Sequence, residues 1–441
     1  MKVPGLSANI RTVEGLQTIS GSPVDIWVAE GLQTAPEYVT PELLQTYQLK
    51  EIRKLLSYLK KNSSYYKEKL MNCYPEDLRT ISDFCRFPTT DEKDLIGQEW
   101  RFQCVASSDI RRIVTVPTTG TTGQQKRIRF TEDDLNRAIA FAPFGFRTMS
   151  EPGDSVAVMM SGESDGSIGE NIRQGIEPFG MRTSVYGPVS DLADAAGFLC
   201  REKPDVIVGI PYQMAALAGY MKIHRIEYSV KSVLLSADDV SEAVCRRLRR
   251  QWNCRTFRHY GMTELCMFGA VECQEHDGYH IRALDQYFEV INPDQEGCGE
   301  IAVTTFRHQG MPLLRYRTGD IGKITAQKCR CGSVLPRISV IRGRKSNRVI
   351  FPGGELFLQD VQEVVYQDDR IIDFDCLAGN RQILIVFYVL PEERIDDKGV
   401  AILRKKLSDY PAMKDIVLKI KVRIMQKSEL KQRNKKRIEK L

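Results

Sequence analysis

Between residues 40 and 70 apolar side chains recur at helical spacing. In TPELLQTYQLKEIRKLLSYLKKNSSYYKEKL, Leu49, Ile52, Leu55, Leu56 and Leu59 share one face. Thr40 followed by Pro41 predicts the helix start, and Asn62-Ser63-Ser64 predicts a break. From about residue 110 the pattern changes. Short apolar runs, RRIVTV (111–116), DSVAVMM (154–160), RTSVY (182–186), DVIVGI (205–210) and KSVLLSA (231–237), alternate with the helix-like segments DLADAAGFLCREK (191–203) and VSEAVCRRLRRQW (240–252). This alternation predicts an α/β fold with largely parallel strands. Residues 285–345 become strand-rich and predict a β subregion. After RGRKSN (342–347) a smaller mixture of strands and helices begins, so the boundary is set between a large domain, 1–344, and a small α+β domain, 345–441. No internal repeat is visible.

Hydrophobic residues at 42% and charged residues at 27% predict a globular chain rather than a disordered one. The start, MKVPGLSANIRTVEGLQ, lacks the apolar run of a secretory leader, and no stretch approaches the roughly 18 apolar residues of a membrane span. The expectation is a cytoplasmic protein with no membrane or nucleic-acid partner. Twelve scattered cysteines then predict reduced thiols rather than disulfides. The net charge of +6 conceals an asymmetry: residues 419–441 hold ten Lys/Arg and two Glu, a net of +8, leaving −2 for the remainder. Such a tail is either a solvated basic face or a surface for polyanions, a small polyphosphate included.

Four segments carry candidate chemistry. Thr118-Thr119-Gly120-Thr121-Thr122-Gly123 with Lys126 follows a strand-like run, and its glycines, hydroxyls and ammonium suit phosphate oxygens; a simple turn is the plainer reading. In His259-Tyr260-Gly261-Met262-Thr263-Glu264 the tyrosine can stack on a purine and the glutamate can hold magnesium; the plainer reading is a strand end with Thr263 capping a helix. In Tyr316-Arg317-Thr318-Gly319-Asp320 the aspartate can accept from ribose hydroxyls, or the segment is a β-turn with Gly319 at positive φ. Gly343-Arg344 and Gly353-Gly354 read as phosphate or ribose contacts and a moving loop, or as a linker and a hairpin turn.

These segments, in this order, resemble the adenylate-forming superfamily of acyl-CoA synthetases, peptide-synthetase adenylation domains and luciferases. The opening helix, LRTISDFCRFPTTDEKDL, VECQEHDGYHI and the CRCG turn are similar to the phenylacetate–CoA ligase group. The resemblance implies ATP-dependent activation of a carboxylic acid, aryl or arylacetic, then transfer to coenzyme A by a mobile C-terminal domain. It implies that Thr118 to Gly123 and Lys126 wrap the phosphates, and that Ala237 and Asp238 lie by the adenine. Tyr260, Gly261 and Met262 would shape the adenine slot. Thr263 would touch the α-phosphate, Glu264 would bind magnesium, and Asp320 with Arg344 would hold the ribose. Lys435 would bridge carboxylate and α-phosphate, with Lys431 and Lys436 as competitors. Departures are Gln125 in place of a common proline, Ser346-Asn347 at the hinge, and a tail without Gly-Lys. Two alternatives stay open: AMP transfer to a deazaflavin-type hydroxyl without coenzyme A, and a non-catalytic nucleotide-binding homologue, to which the missing Gly-Lys and the altered hinge point.

Cys273, His280, Cys329 and Cys331 form CxxxxxxH and CxC halves whose donors suit a structural zinc, with His276 as a substitute for His280; two unrelated cysteine turns are the plainer reading. Gly162-Glu163-Ser164-Asp165-Gly166 matches a GxSxG elbow, but no HGGG-type segment accompanies it and a glycine-rich loop explains it. A homodimer is the default assembly.

Overall fold

The computed structural model describes residues 23–117, 125–162, 166–426, 428–431, 433 and 435–441. The chain forms two compact units. One holds residues up to 152 with 171–180 and 259–341; the other holds 153–170, 181–258 and 342–441. The fold is mixed α/β.

In the first unit, helix α1 (Pro23–Leu32) buries Trp27 against helix α3 (Glu132–Phe146), where Trp27 meets Phe141 and Phe144 at ring distances of 5.8 and 5.3 Å. Helix α2 (Pro41–Asn62) starts where Thr40 Oγ1 accepts from Leu43 N. It stops at Ser63, whose own Oγ caps the next turn through Tyr66 N, so the break lies at 62–63. Ile52, Leu55, Leu56 and Leu59 are buried along one face. Strands β1 (Ile110–Pro117) and β2 (Gln125–Thr131) form an antiparallel hairpin. A second antiparallel group contains β8 (Ala270–Glu272), β9 (Tyr279–Ile281), β10 (Tyr287–Ile291), β11 (Gly299–Thr304) and β12 (Tyr316–Thr325).

In the second unit five strands run parallel in the order β4-β3-β5-β6-β7: β3 (Ser155–Met159), β4 (Arg182–Val185), β5 (Val206–Gly209), β6 (Ser232–Leu235) and the first part of β7 (Arg255–Tyr260). The helices between them have polar caps: α4 (Leu192–Glu202) on Asp191 and α6 (Glu242–Trp252) on Ser241, while α5 (Pro211–Ile223) opens on a proline. β5 and β6 are buried at every position, as a sheet covered on both faces requires. After β13 (Arg337–Arg344) comes a hairpin, β14 (Arg348–Phe351) and β15 (Gly354–Phe357), then helix α7 (Leu358–Val365). A four-stranded sheet follows in the order β18-β17-β16-β19: β16 (Ile371–Gly379), β17 (Gln382–Val389), β18 (Val417–Ile424) and β19 (Ile438–Lys440). No helix among the described residues is long and apolar enough to cross a membrane.

Candidate active site

Of the first motif, Thr118, Thr119, Gly120, Thr121, Thr122 and Gly123 lie outside the described residues, as does Ser164 of the GxSxG segment. Lys126 is described. Alternation along β2 turns it inward, and it is only 4% exposed. Its Nζ pairs with Glu92 at 2.7 Å and with Glu264, and donates to Tyr316 Oη at 3.1 Å; Tyr316 Oη in turn donates to Glu264 Oε1 at 3.0 Å. Burial disfavours the ammonium. The fields of Glu264 and Glu92 outweigh it and hold the pKa above the ordinary lysine value, so Lys126 stays charged.

Glu264 sits in a single 3₁₀ turn, Thr263–Leu265, reached from the end of β7. The chain doubles back so tightly that a Cβ at Gly261 would stand 1.8 Å from Met267 O, which leaves glycine as the only residue that fits. Thr263 is not a helix cap; Met262 holds that place in extended conformation, with no side-chain bond to the turn. His259, beside this turn, is pushed down to about 4 by burial, so its imidazole is neutral at pH 7.

Tyr260 Oη donates to Asp320 Oδ2 at 2.6 Å, joining two motifs 60 positions apart. Asp320 stands in a bulge rather than a turn. Glu300 faces Ile321 and Ala302 faces Arg317, so Thr318, Gly319 and Asp320 together oppose Ile301. Gly319 supplies φ +78°, and Thr318 Oγ1 donates to Ile301 O while accepting from Asp320 N.

The second unit carries the remaining candidates. Ala237 follows β6 at φ 72°, a strained position for a residue with a Cβ. Asp238 accepts from Lys436 N at 2.9 Å and from Asp239 N at 3.0 Å; enclosure raises its carboxyl pKa, and the Lys435 charge is the largest influence opposing that rise. The segment around Lys435 is gripped on both flanks. Tyr212 Oη donates to Arg433 O at 2.9 Å. Asn347 donates to Lys436 O at 3.2 Å and accepts from Ile438 N at 2.8 Å. Lys436 Nζ pairs with Asp373 at 2.5 Å, and Lys431 reaches Asp375 at 3.4 Å. Arg344 ends β13 after Gly343, whose φ is +123°. Gly353 lies in the β14–β15 turn, where a Cβ would come 2.3 Å from Pro411 O; Gly354 opens β15 at φ +133°.

Residues 107–303 match the family model for AMP-binding enzymes. Phenylacetate-coenzyme A ligase of Thermus thermophilus is 27% identical over 362 residues, covering 77% of this chain and 78% of that one. The Escherichia coli K12 enzyme of the same name is 24% identical, covering 78% and 81%. The chain is similar to AMP-binding enzymes over residues 107–303, and to phenylacetate–CoA ligases over about three quarters of its length. The fold of 2-hydroxyisobutyryl-CoA ligase, solved with R3-HIB-AMP, superposes on this chain with a TM-score of 0.76 at 17% identity over 90% of both chains.

The chain also gathers Cys273, His280, Cys329 and Cys331, whose donor atoms all lie within 4.8 Å of one another. Cys273 Sγ and Cys329 Sγ are 3.8 Å apart, and Cys331 Sγ is 3.5 Å from His280 Nε2. About 3.8 Å is the edge of a tetrahedron built on bonds of about 2.3 Å, so the donor set fits zinc in kind and in spacing. His276 is not in this group; it faces Glu272 at 3.5 Å. Sequence reading missed Glu92, Asp373 and the clamp made by Asn347. Only Asn347 carried a signal, as a departure at the hinge. The aromatic segment 141–146 is helical, and its Phe141 and Phe144 rings are packed on Trp27.

Proposed function

We propose that this chain activates a carboxylic acid with ATP and passes the acyl group to coenzyme A, releasing AMP and pyrophosphate. The observation that carries the reading is the 2.6 Å bond from Tyr260 to Asp320, which unites the segments assigned to adenine and ribose. A carboxylate oxygen of the acid bonds to the α-phosphorus as the bond to the β-phosphate oxygen breaks and pyrophosphate leaves. Coenzyme A, losing its thiol proton, then forms the C–S bond as AMP departs. Both steps move negative charge, so fixed cations and donors lower the barrier most.

In this reading Thr118 to Gly123 and Lys126 hold the phosphates, Thr263 meets the α-phosphate, and Ala237, Asp238, Gly261 and Met262 flank the adenine. Asp320 and Arg344 hold the ribose, and Lys435 bridges carboxylate and α-phosphate. Glu264 is the carboxylate that would hold magnesium, whose chemistry is to offset phosphate charge. Cys273, His280, Cys329 and Cys331 would hold a structural zinc with no open coordination position. Residues 345–441 act as a domain that changes its setting about Lys345–Asn347 between the two steps, with the Gly353-Gly354 loop serving the second. The acid is aryl or arylacetic. The enzyme works as a cytoplasmic homodimer.

Pyrophosphate release with ATP, magnesium and a panel of acids tests this reading. Phenylacetate and its aryl relatives should give the fastest release, and AMP release should require coenzyme A. Equal turnover of short polar acids would remove the aryl pocket. AMP transfer that needs no thiol would instead favour a hydroxyl acceptor.

A further inference from the structure

Arg247 is fully buried, although it projects from α6, whose neighbouring residues Arg246, Arg249 and Arg250 are exposed. A buried guanidinium needs acceptors for its five N–H groups. It finds them almost wholly in backbone. Nη2 donates to Asp368 O at 2.6 Å, Nη1 to Ile371 O at 3.0 Å and Ala215 O at 3.2 Å, and Nε to Tyr366 O at 3.3 Å. Three of the four carbonyls belong to the turn 366–371 that leads into β16. Around this centre lies an outer ring of ion pairs. Asp369 takes Lys222 and Arg250, and Glu363 takes Arg246 at 2.8 Å and the backbone N–H of Ala243.

The turn has a short route to Lys435. Ile371 opens β16; two residues on, Asp373 holds the Lys436 ammonium, and Phe374 O accepts from it. Further along the same strand, Cys376 to Ala378 pair with Ile438 to Lys440 of β19. Asp375 of the same strand takes Arg433 at 2.8 Å, so one strand connects the Arg247 carbonyls to both flanks of the segment that presents Lys435.

We propose that Arg247 is a positioning residue for the adenylation step: with Asp369 and Glu363 it latches the turn 366–371 onto helices α5 and α6, and so fixes where β16 presents Lys435. This inference rests on the reading of Lys435 given above. The latch is all-or-none. Moving the turn away strips a buried guanidinium of three acceptors at once, so small displacements are disfavoured and the turn is either docked or released. Thioester formation from a finished acyl adenylate needs no cation between carboxylate and α-phosphate. The latch therefore matters to the first step and not to the second.

The test separates the half-reactions in the full-length enzyme. ATP–pyrophosphate exchange is measured with phenylacetate, or with whichever aryl acid of the panel the wild type turns over fastest. Thioester formation is measured from the matching synthetic acyl adenylate and coenzyme A. Arg247→Met should slow exchange by about tenfold or more and leave thioester formation within about twofold. Arg247→Lys, which keeps the charge but loses the fork, should recover only part of the exchange. Asp369→Asn removes the carboxylate that takes Lys222 and Arg250 and stands 3.5 Å from Arg247 Nε, while keeping the side chain's size and the guanidinium's four backbone acceptors, so it decides the matter even where Arg247→Met fails to fold. It should lower exchange selectively and by less. Equal losses in both half-reactions, or none in either, for Asp369→Asn and any folded Arg247 variant would overturn the latch. A wild type that makes neither adenylate nor thioester would overturn the functional reading instead.

Discussion

Three lysines of the C-terminal segment, Lys431, Lys435 and Lys436, compete for one role, and their surroundings separate them. Lys436 is 2% exposed, its ammonium held by Asp373 and by Phe374 O, and burial lowers its pKa despite that carboxylate. Lys431 is exposed and pairs loosely with Asp375. Lys435 is the one whose charge bears most on Asp238, next to the strained Ala237. Lys435→Ala should therefore reduce acid-dependent exchange by about 10²-fold or more while ATP binding and thermal stability persist. Lys436→Ala breaks a buried pair and should cost about 3–5 kcal/mol of stability, read as a fall in the denaturation midpoint. Lys431→Ala should change either quantity by no more than about twofold. The opposite pattern, with Lys435→Ala active and Lys436→Ala stable but inactive, would reassign the role. At this scale the sequence shows which residue types are present but not what they face. Lys126 reads as a phosphate ligand from its neighbours in the chain, yet nothing near it announces Glu92, and Tyr316 is visible only as part of a motif.

Among the elements, those with local causes are legible. Thr40 with Pro41, the break at Ser63, and the caps at Asp191 and Ser241 all follow from side chains that satisfy their own helix ends. The bulge in β12 is less so. A Thr-Gly-Asp run fits a turn equally well, and only the register against β11 makes it a bulge that places Asp320 at Tyr260. The cysteine group joins the end of β8, β9 and the turn at 329–332. Enzyme purified without chelator should carry about one zinc per chain by plasma mass spectrometry. Cys273→Ser should abolish that zinc and lower the midpoint by about 5 °C or more. A zinc-free wild type of unchanged stability would make the group a chance meeting of thiols.

On the scale of the whole molecule, the strand–helix alternation from residue 154 to 260 is readable because each parallel strand is a short apolar run between amphipathic helices. The grouping of 342–441 with 181–258 is not readable. It rests on contacts such as Arg247 to Asp368, 121 positions apart, in which a basic helix face that looks solvated proves to be docked. The account as a whole requires that one chain make a mixed anhydride before it makes a thioester. Mass spectrometry of a quenched mixture of enzyme, ATP, magnesium and phenylacetate or a related aryl acid, with coenzyme A left out, tests this most directly. The account predicts enzyme-bound acyl adenylate at about one per active chain, converted to acyl-CoA and AMP when coenzyme A is added. Absence of any acyl adenylate across the aryl acids, with ATP intact, would contradict it.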